Sequence, residues 1–290
     1  MKIKSFDVLG NTAIINFHNK LRKKEKIKFA ERLMAKNNRI TSVFEKSGKI
    51  KGRLRKPLLK YVAGKNTEEV LYRENGCVFR FNISSTYFSP RLSNERKEIA
   101  SLIKENEIVF VMFAGVAPFS IVIAKNSNCR KVYSNEINRE ANKYAKLNVE
   151  LNNLKGKVEI IPGDIIKISR ELHSRGIKFD VIVMPRPRLK SSFLEQAFML
   201  SKKGTRVYYY DFAKNFSKKN FGATKFKTAS SHRSRGKNLV GCKMEGIAEV
   251  VEKIKNESKK YNKKIKVLKL KKAGEIAPFK IRLRVDFKVM

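Results

Sequence analysis

The stretch Val109 to Ala124, reading VFVMFAGVAPFSIVIA, constrains the fold more than any other segment of this chain. An apolar run from Ile108 to Phe113 enters a turn of small residues, Ala114-Gly115-Val116-Ala117-Pro118, and a second apolar run with helical spacing follows. A strand, a glycine turn and a helix in that order begin a doubly wound α/β domain. Small residues at the turn let a ligand approach the backbone, and the amino end of the helix lies beside it. About 22 residues later, Val132-Tyr133-Ser134-Asn135-Glu136 reads as a second strand ending in a carboxylate, a position from which an acid holds ribose hydroxyls. A third strand ends at Gly163-Asp164, and a fourth runs from Asp180 to Met184. This ordered set implies a nucleoside cofactor.

The dinucleotide fingerprint needs three glycines to seat a pyrophosphate. Here the turn offers Gly115 alone, between Phe113-Ala114 and Val116. S-adenosylmethionine carries a ribose and an adenine but no phosphate. Gly115, Glu136 for the ribose and Asp164 near the adenine suit it better.

Composition narrows the partners. The 290 residues are enough for one large or two modest domains, and 42% apolar content makes the chain globular. Basic residues number 66 against 26 acidic, a formal charge of +40. That excess costs self-repulsion and implies a polyanion, with nucleic acid ahead of an acidic membrane surface. A lysine-rich proteome is the plainer source of the same excess. No apolar run reaches the roughly 18 to 20 residues of a membrane span, and no signal-peptide core follows the amino terminus. The expectation is a cytoplasmic protein. Cys77, Cys129 and Cys242 are far apart, and His18, His173 and His232 are scattered, so neither a zinc site nor a disulfide is expected.

Residues 1–88 read as a small α+β module and 89–290 as the cofactor domain. Phe6 to Phe17 alternates around the turn Gly10-Asn11, and Lys24 to Lys36 predicts a basic helix with Phe29, Leu33 and Met34 as its apolar stripe. Strands are expected at Thr41–Phe44, Gly52–Tyr61, Glu69–Tyr72 and Cys77–Ile83, with turns at Gly48, Gly64-Lys65-Asn66 and Asn75-Gly76. Further along, the pattern predicts a helix over Ser93–Glu105 capped by Ser93, a helix over Phe193–Leu200 and a fifth strand over Thr205–Phe212. Tyr208-Tyr209-Tyr210 reads as buried strand rather than a base-stacking surface. A basic loop spans 214–243. A helix over Gly246–Tyr261 and strands over Lys264–Leu270 and Ile281–Val289 close the chain.

The segment Tyr87-Phe88-Ser89-Pro90-Arg91-Leu92-Ser93-Asn94-Glu95-Arg96 packs two aromatics, two arginines and an acid into ten residues. Together with MFAGVAPFS, the carboxylate after VYS, Gly163-Asp164, VYYYDFA at 207–213, FDVLGNTAII at 6–15, GRLRKPLLKYVAGKNTEEVLYRENG at 52–76 and the ending APFKIRLRVDFKV, it resembles the archaeal and eukaryotic type of tRNA (guanine-37-N1)-methyltransferase. The resemblance covers nearly the whole chain. It implies a Rossmann-like class I methyltransferase domain preceded by a small α+β domain, with S-adenosylmethionine as cofactor and tRNA as partner. It implies a monomer, with no DNA or membrane partner. By position in these motifs, Glu95 matches a general base for the N1 proton and Arg55 a cation opposite O6. Tyr87 and Pro187 match residues that shape the base pocket. Phe113, Ala114, Gly115, Glu136, Asp164 and Pro185 fall on the cofactor side, and Arg91, Arg96, Arg186 and Arg188 on the RNA side. Arg91 is expected to fix its loop or a phosphate; the plain alternative for Glu95 is an ion pair with Arg91, four residues before it.

The chain departs from the family pattern at three points. Val111 stands where an acid is usual, two residues before Phe113. Pro185 replaces the usual Asn after the fourth strand, giving Pro185-Arg186-Pro187-Arg188. Relatives altered here also methylate C7 of the tricyclic wyosine precursor at the same tRNA position, so a dual activity is expected as an option. The chain is also expected to lack a further amino-terminal module that inspects the tRNA elbow, with dense positive charge in its stead. The rival readings are the related aminocarboxypropyl transferase of wyosine synthesis and a basic RNA-binding protein without catalysis.

Overall fold

The computed structural model describes residues 3–48, 54, 56–186, 191–214, 245–278 and 280–290. Arg53, Arg55, Pro187, Arg188, His232, Cys242 and nearly all of the 214–243 loop fall outside them. The chain divides into two compact units, Met1–Ile168 and Ser169–Met290.

The first unit opens with β1 (Ile3–Leu9), β2 (Thr12–Phe17), α1 (Lys23–Lys36), β3 (Ser42–Lys46) and β4 (Leu59–Gly64). These strands form one sheet in chain order. β1–β2 and β3–β4 are antiparallel, whereas β2–β3 is parallel. A parallel pair needs a crossover, and α1 supplies it. The apolar stripe expected on α1 does pack on the sheet: Phe29, Leu33 and Met34 lie against Ala13, Ile15, Phe17, Ala30, Ile40, Val43 and Ala63. Gly10 turns the first hairpin with φ +58°, and a Cβ there would sit 2.2 Å from Leu71 O. No other residue fits that site.

β5 (Glu69–Glu74) and β6 (Cys77–Asn82) form a separate antiparallel hairpin. Its two-residue turn is Asn75-Gly76, both with positive φ (48° and 71°), as the right-handed twist of such hairpins requires. The buried Cys77 begins β6, and loss of hydration pushes its thiol up to about 11.

α2 (Ser93–Leu102) follows a single 3-10 turn at Pro90–Leu92. Ser93 is not the cap expected of it. Its backbone is already helical (φ −56°, ψ −48°), and Asn75 Nδ2 donates to both its carbonyl and its hydroxyl. Then come β7 (Ile108–Val111), α3 (Pro118–Asn126), β8 (Lys131–Glu136), α4 (Arg139–Leu151) and β9 (Val158–Pro162), followed by α5 (Ile165–Ser174). β7, β8 and β9 pair in that order, all parallel, with the helices as crossovers. Every residue of α3 from Pro118 to Ala124 is buried, and in the VFVMFAGVAPFSIVIA run only Phe113 and Gly115, at the turn, are partly exposed.

The second unit contains β10 (Phe179–Met184), α6 (Leu194–Met199), β11 (Ser201–Lys214), α7 (Glu245–Lys260), β12 (Ile265–Ala277) and β13 (Lys280–Val289). β11 lies parallel to β10 and antiparallel to β13, and β12 pairs with the other side of β13. Phe198 of α6 meets Phe287 of β13, with ring centroids 6.0 Å apart. Tyr208, Tyr209 and Tyr210 are buried, as a strand reading requires. Tyr209 Oη donates to Asp211 Oδ2, which Lys253 also reaches. Burial and the adjoining Asp211 charge drive the Tyr209 hydroxyl far above the usual phenol range. Arg284 and Asp286, two apart on one face of β13, form a fully buried pair through Nε–Oδ1 (2.7 Å) and Nη2–Oδ2 (3.0 Å).

Candidate active site

The carboxyl ends of β7, β8 and β9 are stitched together by their own backbone and the side chains of Asn135 and Glu136. Ala114 N donates to Asn135 O (2.8 Å), and Gly163 N donates to Glu136 O (2.9 Å). Asn135 Nδ2 bridges to Ile161 O and Gly163 O. Glu136 closes the seam: Gly115 N donates to Oε2 (2.8 Å), while Ile137 N and Asn138 N both donate to Oε1 (2.9 Å each). The side chain is 7% exposed. A carboxylate has about four acceptor sites, so three donors leave Glu136 capacity for a hydroxyl.

The turn between β7 and α3 holds three residues at positive φ, namely Phe113 (56°), Gly115 (60°) and Ala117 (65°). For a residue with a Cβ this costs roughly 1–2 kcal/mol, and such strain concentrates where a ligand meets the backbone. Ala117 then leads into Pro118 at the first position of α3. Ala117→Gly is therefore expected to be neutral or to stabilise by up to about 1 kcal/mol, against the usual loss for Ala→Gly. A urea midpoint lowered by this change would contradict the strain.

One chain segment lies over that turn. A Cβ on Gly115 would come 3.4 Å from Tyr87 O. The segment is pinned at several points. Asn82 Oδ1 accepts from Ser84 N and Ser85 N, and Asn138 Nδ2 donates to Ser85 O (3.0 Å). Phe88 stacks on Phe81 at 4.7 Å and meets Tyr72 and Phe79 edge-on or tilted. Arg91 reaches Asp7 of β1 (Nε–Oδ1 3.0 Å), which supports the loop-fixing role for it. Glu95, in the first turn of α2, is 5% exposed.

Arg96 corrects the sequence reading. It was expected on the RNA side, yet it is 1% exposed. Its guanidinium clasps Glu74 through Nε and Nη2, donates to Ser89 O (3.0 Å), and lies over the rings of Phe88 and Phe119. A phosphate cannot reach it. Asp164 caps α5, accepting from Ile166 N at 3.0 Å. Pro185 and Arg186 directly follow β10 in the second unit, half-buried. Arg55, Pro187 and Arg188 lie outside the described residues.

Sequence reasoning missed the asparagines. Asn148 and Asn152, one turn apart on and just after α4, pair with the outer edge of β6 as a strand would. Asn152 accepts from Val78 N (2.9 Å) and donates to Val78 O (2.7 Å), and Asn148 accepts from Arg80 N (2.7 Å). The signal was available: asparagine recurs on the face of α4 that carries Ala141, Ala145 and Val149. An amide placed among core residues must have a partner.

Comparison with known proteins agrees with this geometry. The model of the TRM5/TYW2 methyltransferase domain matches residues 70–235, and that of the TYW2 N-terminal domain matches residues 2–67. The tRNA (guanine(37)-N(1))-methyltransferase Trm5b of Pyrococcus abyssi is 31% identical over 98% of this chain and 74% of its own length. The tRNA (guanine(37)-N(1))/4-demethylwyosine(37)-methyltransferase Taw22 of Nanoarchaeum equitans is 31% identical over 74% of this chain and 86% of its own. The solved complex of aTrm5 and tRNALeu superposes with a TM-score of 0.77 at 27% identity, over 99% of this chain and 72% of that one. The expected α/β class, a Rossmann-like methyltransferase domain preceded by a small α+β domain, is borne out.

Proposed function

We propose a reaction from a firm premise: this chain belongs to the TRM5/TYW2 methyltransferase family. The reaction is transfer of a methyl group from S-adenosylmethionine to N1 of guanine 37 in tRNA. The observation that carries it is the seam of Gly115, Glu136 and the Tyr87 segment. It offers a buried carboxylate with acceptor capacity for a ribose hydroxyl and no multi-glycine cradle for phosphates. When bound, the cofactor supplies an electrophilic methyl group. The chain's own residues do the rest.

N1 of guanine carries a proton and is a poor nucleophile until that proton leaves. In this reading Glu95 takes it, and Arg55 balances the negative charge that grows on O6. By the family resemblance Tyr87 and Pro187 are assigned to shaping the base pocket, and Phe113, Ala114, Asp164 and Pro185 to the cofactor. Residues 1–88 form an RNA-facing module and 89–290 the cofactor domain. The charge of +40 suits a phosphate backbone. Arg91, Arg186 and Arg188 remain the arginines assigned to RNA. No helix among the described residues is long and apolar enough to cross a membrane. We take the protein to act in the cytoplasm as a monomer.

Pro185 in place of Asn, and the similarity to Taw22, support a second methyl acceptor, C7 of the tricyclic wyosine precursor. Carbon methylation of an electron-rich ring has a different need for a base, because the proton leaves C7 as the new C–C bond forms, and it asks for a larger pocket. The test is nucleoside mass analysis after incubating the protein with S-adenosylmethionine and tRNA transcripts bearing guanine or adenine at position 37, then tRNA bearing the tricycle. N1-methylguanosine from the guanine transcript alone is expected. An aminocarboxypropyl adduct, or tight RNA binding with no product, would overturn the reading.

A further inference from the structure

We propose that Asn138 is a positioning residue: it ties the segment that leads to Tyr87 and Glu95 onto the carboxylate seam of the cofactor turn. The proposal rests on the methyl-transfer reading above and adds to it the part that sets the approach of the two halves of the site.

Asn138 stands two residues after Glu136 and is 4% exposed. All its polar groups are engaged, and each bond has a different destination. Its backbone N–H donates to Glu136 Oε1 (2.9 Å). Its Oδ1 accepts from Glu140 N (3.1 Å), which caps α4. Its Nδ2 donates to Ser85 O (3.0 Å). From Ser85 the chain runs two residues to Tyr87, whose carbonyl lies against Gly115, and Gly115 N returns to Glu136 Oε2. Gly115, Glu136, Asn138, Ser85 and Tyr87 thus form a closed ring.

Around that ring Asn138 Nδ2 ties the residues just after β8 directly to the 83–87 turn. The turn's shape has a separate origin, because Asn82 and Glu68 hold it from the hairpin side. Losing the Asn138 amide therefore leaves the turn folded and Phe88 and Ser89 anchored beyond it, but removes one restraint on its position against Gly115. Catalysis by orientation is sensitive to shifts in that position, since a displacement on the order of 1 Å costs about a hundredfold at worst.

The three bonds can be separated. Serine caps helices about as well as asparagine, but its hydroxyl is too short to reach Ser85 O while it caps. Asn138→Ser should therefore keep the fold and the α4 cap and lose only the tether. Three measurements read the outcome. Amide hydrogen exchange in peptides over 83–92 is expected to speed up about tenfold, with peptides over 139–151 unchanged. Affinity for S-adenosylhomocysteine is expected to stay within about threefold. The single-turnover rate on the guanine-37 transcript is expected to fall by about tenfold or more, a size consistent with one lost hydrogen bond.

Asn138→Ala, which removes cap and tether together, should show faster exchange in both regions. Exchange over 83–92 and turnover both equal to wild type in Asn138→Ser would overturn the proposal. So would a fall in turnover matched by equal losses in cofactor affinity and unfolding midpoint, the mark of a merely structural role. If wild type itself transfers no methyl group to the transcript, the functional reading fails instead, and the exchange pattern still decides whether the tether exists.

Discussion

Glu95→Gln is expected to lower the single-turnover rate of methyl transfer by about 10²–10⁴-fold, the range that a positioned proton acceptor contributes. Glutamine keeps the size and hydrogen-bonding reach of the side chain but cannot take the N1 proton. The site is buried in the first turn of α2, so an isosteric change should disturb packing little. Affinity for S-adenosylmethionine and for tRNA should stay near wild type, because the loss falls on the chemical step alone. A rate within about fivefold of wild type would remove Glu95 from the mechanism and return it to a structural role. The same variant also separates the two acceptors. If the proton leaving C7 of the tricycle passes to water or another acceptor, that activity should survive the change while N1 methylation fails.

Arg96→Met is expected to destabilise the fold by about 3–5 kcal/mol, the usual result of breaking a buried ion pair from one side. Arg96 and Glu74 are 1% and 4% exposed at their side chains, and no other basic group is described on Glu74. Removing the guanidinium strands a carboxylate in the core. It also frees Ser89 O and uncovers the Phe88 and Phe119 ring faces. The double change Glu74→Leu with Arg96→Met removes both charges and should recover most of the loss. Urea unfolding of the four proteins forms a cycle. A destabilisation below about 1 kcal/mol in Arg96→Met would mean the pair is solvated and the arginine available to RNA after all.

These two neighbours show what a sequence can and cannot disclose. Glu95 and Arg96 are adjacent, both charged and both within one motif, and nothing in YFSPRLSNER distinguishes the residue proposed as proton acceptor from a structural pin. The distinction comes from Glu74, 22 residues earlier, at the end of a hairpin strand. Burial of a charge depends on a partner that periodicity does not reveal. The β7–α3 turn and the acid beside it were legible because their requirements are local: a small-residue turn between apolar runs, and an acid at a fixed distance. The Asn75-Gly76 hairpin was legible for the same reason.

Other features were hidden by chemistry that imitates something else. Ser93 has the identity of a cap, but the 3-10 turn before it has already begun the helix. β12 runs to Ala277, well past the expected end at Leu270, because its outer segment has no apolar alternation and pairs with β13 through two register shifts. The asparagine contacts of α4 were hidden because an amide on a helix reads as solvent-facing until the strand it pairs with is known.

The central claim is that the Gly115–Glu136 seam seats S-adenosylmethionine, and direct binding tests it best. Calorimetric titration of S-adenosylhomocysteine into the protein without RNA is expected to show one saturable site. Glu136→Ala is expected to weaken it about 30-fold or more, the worth of a charged hydrogen bond or two, in protein whose circular dichroism remains native. Saturable binding that Glu136→Ala leaves unchanged, or no binding to wild type at all, would contradict the account.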